Sequence, residues 1–250
     1  MANSKIFVTG DCHADFTKFS SDNFPQGKDL TREDYVIICG DIGILWDKEL
    51  SNREKYWIDW LKNKPWTTLF ILGNHCNYDR WAELPSEEWH GGLVQKLADN
   101  VIRLQNGIFD INGFKFLALN GNYSHDISDG ILEVGDPRIS QWQKDYTKMF
   151  RVNHISWWKE EVPDENIREF TLKTLKEHDF KVDYILTHGL PATDLMFLYK
   201  YTNPNEYEYW LENEIRSKVN YKYLFSGHYH MDKAASYKDI CIYKRILQIL

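Results

Sequence analysis

Five short fragments of this 250-residue chain carry side chains that can hold a metal ion: Gly10-Asp11-Cys12-His13, Gly40-Asp41, Gly73-Asn74-His75, Thr187-His188-Gly189 and Gly227-His228-Tyr229-His230. Carboxylate, amide and imidazole donors gathered together make a hard-to-borderline nitrogen and oxygen site. Such a site suits Mn, Fe, Zn or Co better than Ca. Nearly all of the fragments follow an apolar, β-branched run: Ile6-Phe7-Val8, Tyr35 to Cys39, Leu69 to Leu72, Tyr184-Ile185-Leu186 and Tyr223-Leu224-Phe225. Each run reads as a buried strand that stops at a Gly or a small polar residue and then presents an Asp, Asn or His. In an open α/β sheet the carboxyl ends of such strands share one crevice, so the fragments are expected to meet there.

The elements that must position these donors are partly legible. The first third alternates strand and helix, which argues for a parallel sheet layer, with strands expected at about Lys5–Thr9, Tyr35–Cys39 and Thr68–Leu72. Ser51–Lys62 predicts a helix: Ser51 can cap it, Glu54 holds the capping-box position, and Tyr56, Trp57, Trp60 and Leu61 share a face. Short strands follow at Val101–Leu104, Gly107–Asp110 and Phe114–Leu119. They are joined by Asn106-Gly107 and Asn112-Gly113, dipeptides that signal hairpins. Asp164–His178 predicts a helix with Ile167, Phe170, Leu172 and Leu175 as its apolar stripe, and another helix is expected at about Asn205–Val219. Strands return at Val182–Thr187 and Tyr221–Ser226, and a terminal hairpin pairs Lys233–Tyr237 with Ile240–Ile249. Residues 126–150 show no period and read as an insertion beside the site, within a cap of about 122–181. There is no repeat, low-complexity tract or long linker, so residues 1–250 are expected to form one domain.

Bulk properties narrow the function. A hydrophobic content of 43% and a charged content of 27% are ordinary for a globular protein. Nothing approaches the run of about eighteen apolar residues that a membrane span needs. The amino terminus goes straight into a strand without the features of a signal peptide, so the cytoplasm is the expected location. The four Cys, at 12, 39, 76 and 241, match no zinc-finger or redox spacing and read as free thiols of a reducing compartment. Cys39 is expected in the core. Cys12 and Cys76 are expected to pack beside the donors, where they could make the site sensitive to oxidation. The net charge of −7 disfavours a nucleic-acid partner bound by phosphate neutralisation, although a local basic patch can hide in that average.

Taken in order, Asp-x-His, Gly-Asp, Gly-Asn-His, a lone His after a strand and Gly-His-x-His resemble the calcineurin-like metallophosphoesterase superfamily. The fragments run from Asp11 to His230 and so cover most of the chain. One Gly-Asp pair is common by chance; five fragments in order at strand ends are specific. Phe116–Ser124, Ser156–Glu161 and Val182–His188 are similar to stretches of a bacterial and phage branch, with Asn120 and Asn122 in place of small residues. The Asp-Arg-Gly signature of the protein Ser/Thr phosphatases is missing after Asp41, and Ile44 stands where those enzymes carry an orienting Asp. That subfamily is excluded.

The resemblance implies an α/β fold in the form of a central β-sandwich flanked by helices, with a dinuclear metal site at the strand C-terminal ends. It implies two divalent transition-metal ions, Mn first, with Fe, Zn, Ni or Co as alternatives. Asp11, His13 and His230 would hold one ion, Asn74, His188 and His228 the other, and Asp41 would bridge them. His75 would be the general acid or a donor to the phosphoryl group, although Cys76 follows it where many relatives carry an acidic residue. Arg151, Tyr123 and His125 are candidate substrate contacts, Arg151 because a planar guanidinium suits phosphate oxygens. Each of the three reads equally well as a surface or packing residue. The implied activity is hydrolysis of a phosphomonoester or phosphodiester by metal-activated water, on a small phosphorylated substrate or nucleotide. A nuclease would need a basic groove, for which Lys144, Lys148, Arg151 and Lys159 are the candidates. A non-catalytic scaffold is the third reading, disfavoured because every donor and His75 are present.

Overall fold

The computed structural model describes residues 4–199 and 203–250. Strands covered on both faces need unbroken apolar runs, and β1 (Ile6–Thr9), β2 (Tyr35–Cys39) and β3 (Thr67–Ile71) meet that need. All their residues are buried, and they pair in parallel. β4 (Glu87–Trp89), β5 (Gly92–Ala98) and β6 (Val101–Leu104) extend the sheet beyond β3, with β6 parallel to β3 and the others antiparallel. β7 (Gly107–Ile111) and β8 (Phe114–Leu119) form a hairpin in a second sheet. Asn112 and Gly113 at its turn both have positive φ, as a type I′ turn requires. β9 (Gly130–Leu132) and β10 (Phe150–Val152) make a separate parallel pair. β11 (Tyr184–Thr187), β12 (Tyr223–Ser226), β13 (Lys233–Ala234) and β14 (Asp239–Cys241) complete the second sheet, in the order β13-β14-β12-β11-β8-β7. β15 (Leu247–Gln248) returns to the first sheet, antiparallel to β1.

The two sheets share a core. Ile37, Leu69, Phe109, Phe116, Leu186 and Phe225 belong to one buried cluster drawn from both sheets. Because side chains alternate along a strand, Val36 and Ile38 point the other way, into an outer cluster with Phe16, Phe24, Trp66 and Leu61. Leu61 comes from α1 (Asn52–Lys62), which has the expected Ser51–Glu54 capping box. Trp81 of α2 (Tyr78–Ala82) joins the same cluster. The cap contributes a short α3 (Ile139–Trp142). The outer face of the second sheet packs against Leu175 of α4 (Glu165–Glu177), Leu195 of α5 (Ala192–Tyr199) and Tyr207 of α6 (Glu206–Trp210). The result is a β-sandwich with helices on both sides, as expected.

Several local expectations are corrected. Asn106-Gly107 is not a hairpin turn: β6 and β7 lie in different sheets, and Asn106 Oδ1 accepts the Asn120 N–H as the chain crosses over. The terminal hairpin is split between sheets, since β14 pairs with β13 while β15 pairs with β1. The buried stripe of α4 is Arg168, Thr171 and Leu175, whereas Phe170 is exposed. Arg168 can be buried because Nε donates to Pro163 O and Nη1 pairs with Glu206. α6 runs into a π-helical turn at Leu211–Arg216 and stops short of Val219. α2, α5 and the β4–β5 hairpin carry no sequence signal strong enough to predict them.

Beneath α5, Asp194 meets Asp239 and Arg216. Burial and the like charge of Asp239 push the Asp194 carboxyl up to about 7. Asp194 is therefore protonated in the fold between about pH 4 and 7 but ionised in the unfolded chain. Stability contributed by that proton is lost as pH rises through this window. Asp194→Asn mimics the neutral form and can still donate to Asp239. It is expected to stabilise the protein at pH 8 by on the order of 1–3 kcal/mol, a gain that vanishes by pH 4. Thermal melts across this range check it; an Asn variant that melts lower at pH 8 contradicts it.

Candidate metal centre

The donors follow their strands at nearly constant spacing: Asp11 and Asp41 two residues after β1 and β2, Asn74 three after β3, His188 directly after β11 and His228 two after β12. Since these strands run parallel within each sheet, their donors emerge at one edge. The preceding glycines permit the close approach. A Cβ on Gly40 would fall 2.0 Å from His188 Nδ1, one on Gly73 2.2 Å from Asp41 Oδ1, and one on Gly227 2.1 Å from Asp11 Oδ1. Four donor residues also hold the left-handed backbone that side chains avoid: His13 (φ 48°), Asp41 (41°), His228 (67°) and His230 (48°). Strain of this kind persists where the surroundings fix it, and it clusters at functional sites.

Two groups result. In the first, His230 Nε2 lies 3.1 Å and His13 Nε2 3.5 Å from Asp11 Oδ2, and the two imidazole nitrogens are 2.9 Å apart. In the second, His188 Nε2 lies 3.0 Å from Asn74 Oδ1 and 3.3 Å from Asp41 Oδ2. Asp41 stands between the groups, its Oδ2 also 3.9 Å from His13 Nε2. His228 packs its ring against His188, with centroids 4.9 Å apart.

The polar atoms of this cluster are unbalanced in a way that a cation corrects. His188 Nδ1 faces the Cys39 carbonyl at 2.9 Å and donates to it. That leaves the Nε2 lone pair aimed at two oxygens. His228 Nε2 is buried with no hydrogen-bond partner, and buried Asp11 Oδ2 meets two imidazole nitrogens. Burial opposes charge on His188, but Asp41 and Asp11 outweigh it and raise its pKa to about 9. Burial likewise opposes ionisation of Asp41, and His188 overrides it to hold the carboxyl at about 2. Burial and the neighbouring His188 keep His228 neutral, far below its usual pKa. An imidazole tied to a backbone carbonyl through its second nitrogen is the usual arrangement of a metal-binding His. The donor set therefore fits transition-metal ions.

A family model for calcineurin-like phosphoesterases matches residues 4–232. The chain belongs to the calcineurin-like phosphoesterase family. It is 26% identical to a lariat debranching enzyme of Danio rerio over 263 aligned positions, covering 92% of this chain and 41% of that protein. It is 25% identical to lariat debranching enzyme A of Xenopus laevis over 263 positions, covering 92% and 43%. The chain thus spans about two fifths of the length of these curated relatives.

The other predicted residues of this family member are placed as follows. His75 is half-buried; its backbone N–H donates to Asp41 Oδ1 at 2.8 Å, and its ring lies 5.6 Å from that of His13 and 6.4 Å from that of Trp46. Arg151 pairs with Asp126, and both lie close enough to act on the charge of His75. His125 stands 4.8 Å from the His228 ring. Tyr123 is half-buried against the outer core of the second sheet. The thiols of Cys12 and Cys76 are buried, and burial raises both, Cys12 to about 12. Buried thiols held protonated in this way are poor nucleophiles, which argues against the expected oxidation sensitivity.

Two supporting groups escaped the sequence reading. Glu161, fully buried, accepts the Ser124 N–H and hydroxyl, both at 2.8 Å; Ser124 Oγ in turn accepts the Asn74 side-chain N–H at 3.0 Å. This relay decides which end of the Asn74 amide faces the site. Lys18 Nζ donates to the carbonyls of Gly10, Asp11 and Tyr243 at 3.1, 2.8 and 2.6 Å, tying the Asp11 loop to the Tyr243 loop. Tyr243 stacks on His230 with centroids 4.4 Å apart.

Proposed function

We propose that the chain is a two-metal phosphoesterase in which Asp11, His13 and His230 hold one ion, Asn74, His188 and His228 hold the other, and Asp41 serves both. The observation that carries this reading is the Asp41 carboxylate standing between the two donor groups, 3.3 Å from His188 and 3.9 Å from His13. Two divalent ions in such a pair, with Mn our choice, supply an ionised water and neutralise phosphoryl charge. The rest falls to the chain. Neutral imidazoles and one amide keep the charge of the donor set moderate, Asp41 shares its anion, and His75 places a proton donor beside the leaving oxygen. Buried, unpaired thiols suit a cytoplasmic setting. No helix among the described residues is long and apolar enough to cross a membrane.

The test is turnover of p-nitrophenyl mono- and diesters with Mn²⁺, abolished by chelation. An absence of hydrolysis with Mn, Ni, Co, Fe and Zn alike would favour the scaffold reading. Of the four cations expected to form a basic groove for the nuclease reading, Lys148 pairs with Asp129 and Arg151 with Asp126, which weakens that reading.

The relay to Asn74 yields a further expectation. In Glu161→Gln the new amide nitrogen would face the Ser124 hydroxyl, which then turns its own hydrogen toward Asn74. The Asn74 amide flips and presents its NH₂ to the site. One of the two ions should weaken by roughly 10–100-fold, read by Mn²⁺ titration. Two unaltered affinities would show that the relay has no hold on Asn74.

A further inference from the structure

A cavity of about 520 Å³ opens against His228 and His230 and is walled by His125, Leu195, Tyr199 and Tyr229. That volume lies within the range of about 300–1,000 Å³ typical of small-molecule sites. Its wall is a run of neighbouring rings. Tyr199 and Tyr229 have centroids 5.4 Å apart, Tyr229 and His125 6.1 Å, and His125 and His228 4.8 Å. The Tyr199 hydroxyl donates to the Tyr229 carbonyl at 2.8 Å, so this ring is pinned although it stays 42% exposed. Among the described residues no Lys or Arg lines the cavity. Aromatic walls bind flat π faces.

We infer that this cavity receives the nucleobase of a nucleoside phosphate ester whose phosphoryl group lies at the metal centre. The inference rests on the two-metal reading above. A ring joined directly to the ester oxygen, as in an aryl phosphate, is held close to the phosphoryl group. A nucleoside puts a sugar between phosphate and base, so its base can reach farther along the ring-lined wall. The substrate class is then a nucleotide or a nucleoside diester, not a sugar phosphate or an alkyl ester.

The test compares equilibrium binding of adenosine 5′-monophosphate, phenyl phosphate and methyl phosphate to the Mn²⁺-loaded protein. Adenosine monophosphate should bind on the order of 10–100-fold more tightly than methyl phosphate, with phenyl phosphate close to the latter. Tyr199→Ala should collapse that preference while methyl phosphate still binds, and Tyr199→Phe, which keeps the ring and loses only the hydroxyl, should retain it. Adenosine monophosphate binding no tighter than methyl phosphate, phenyl phosphate matching it, or a preference that survives Tyr199→Ala would each overturn the assignment. If none of the three phosphates binds and no ester turns over, it is the metal-centre reading that fails.

Discussion

His75→Ala should leave both metal ions bound and still cost about 10²–10⁴-fold in rate on an ester with an alkyl or ribose leaving group. The expectation comes from placement. The His75 backbone is fixed by its N–H to Asp41, while its ring stands apart from the close donor contacts, near the rings of His13 and Trp46. Burial lowers its pKa and outweighs the pull of Asp41 in the other direction, which makes the protonated ring a stronger acid but leaves less of it protonated at neutral pH. An alkoxide leaving group needs that proton; a nitrophenolate hardly does. The loss should therefore shrink sharply on a nitrophenyl ester. A metal ligand would instead empty a site, and a structural His would lower the melting temperature and slow both esters alike. Metal content, melting temperature and the ratio of rates on the two leaving groups separate these cases. Equal losses on both esters, with metals retained, would sink the general-acid role and leave His75 as a stabiliser of phosphoryl charge.

What the sequence disclosed follows the range of the interactions involved. β2 was legible because Tyr35–Cys39 is apolar throughout and bounded by polar residues, and α1 because Ser51 and Glu54 lie within one turn of each other. The two Asn-Gly dipeptides show where local signals stop. Asn112-Gly113 closes a hairpin, but Asn106-Gly107 sits where β6 leaves one sheet for the other, and its Asn is spent on the distant Asn120 N–H. The β4–β5 hairpin turns at His90-Gly91, both at positive φ, with His90 Nδ1 2.7 Å from the Asp110 carbonyl. The partner that holds this turn is twenty residues away. Glu161 looks like a surface charge in Lys159-Glu160-Glu161, and only the fold brings Ser124 onto it. The candidate metal donors could be picked out without their partners because each lies a few residues past its own strand, so parallel pairing alone gathers them. The partners of Lys148 and Arg151 were hidden for the converse reason: Asp129 and Asp126 are 19 and 25 residues away.

Asp41→Asn should cost at least about 10³-fold in kcat/KM, equivalent to about 4 kcal/mol of transition-state stabilisation, and should weaken both ions together. Asp41 is 1% exposed, and its two oxygens have different tasks. Oδ1 accepts the His75 N–H at 2.8 Å, while Oδ2 faces His188 and His13. In the Asn variant the amide oxygen must take the Oδ1 place, because the His75 N–H has to be satisfied. The NH₂ then points at both donor groups, a donor where each ion needs an anion. His13→Ala is the control: its Nε2 lies with Asp11 and His230 in one group, so it should empty one site only. Asp11 is the rival for the shared position, since it falls within ligand distance of both groups. Its Oδ1, however, is committed to the His228 N–H at 2.8 Å, which leaves Oδ2 alone to face His13 and His230. Asp11→Asn should accordingly lose one ion and Asp41→Asn two, as read by metal analysis after dialysis. The reverse ordering would move the bridge from Asp41 to Asp11 and reassign the second group around it.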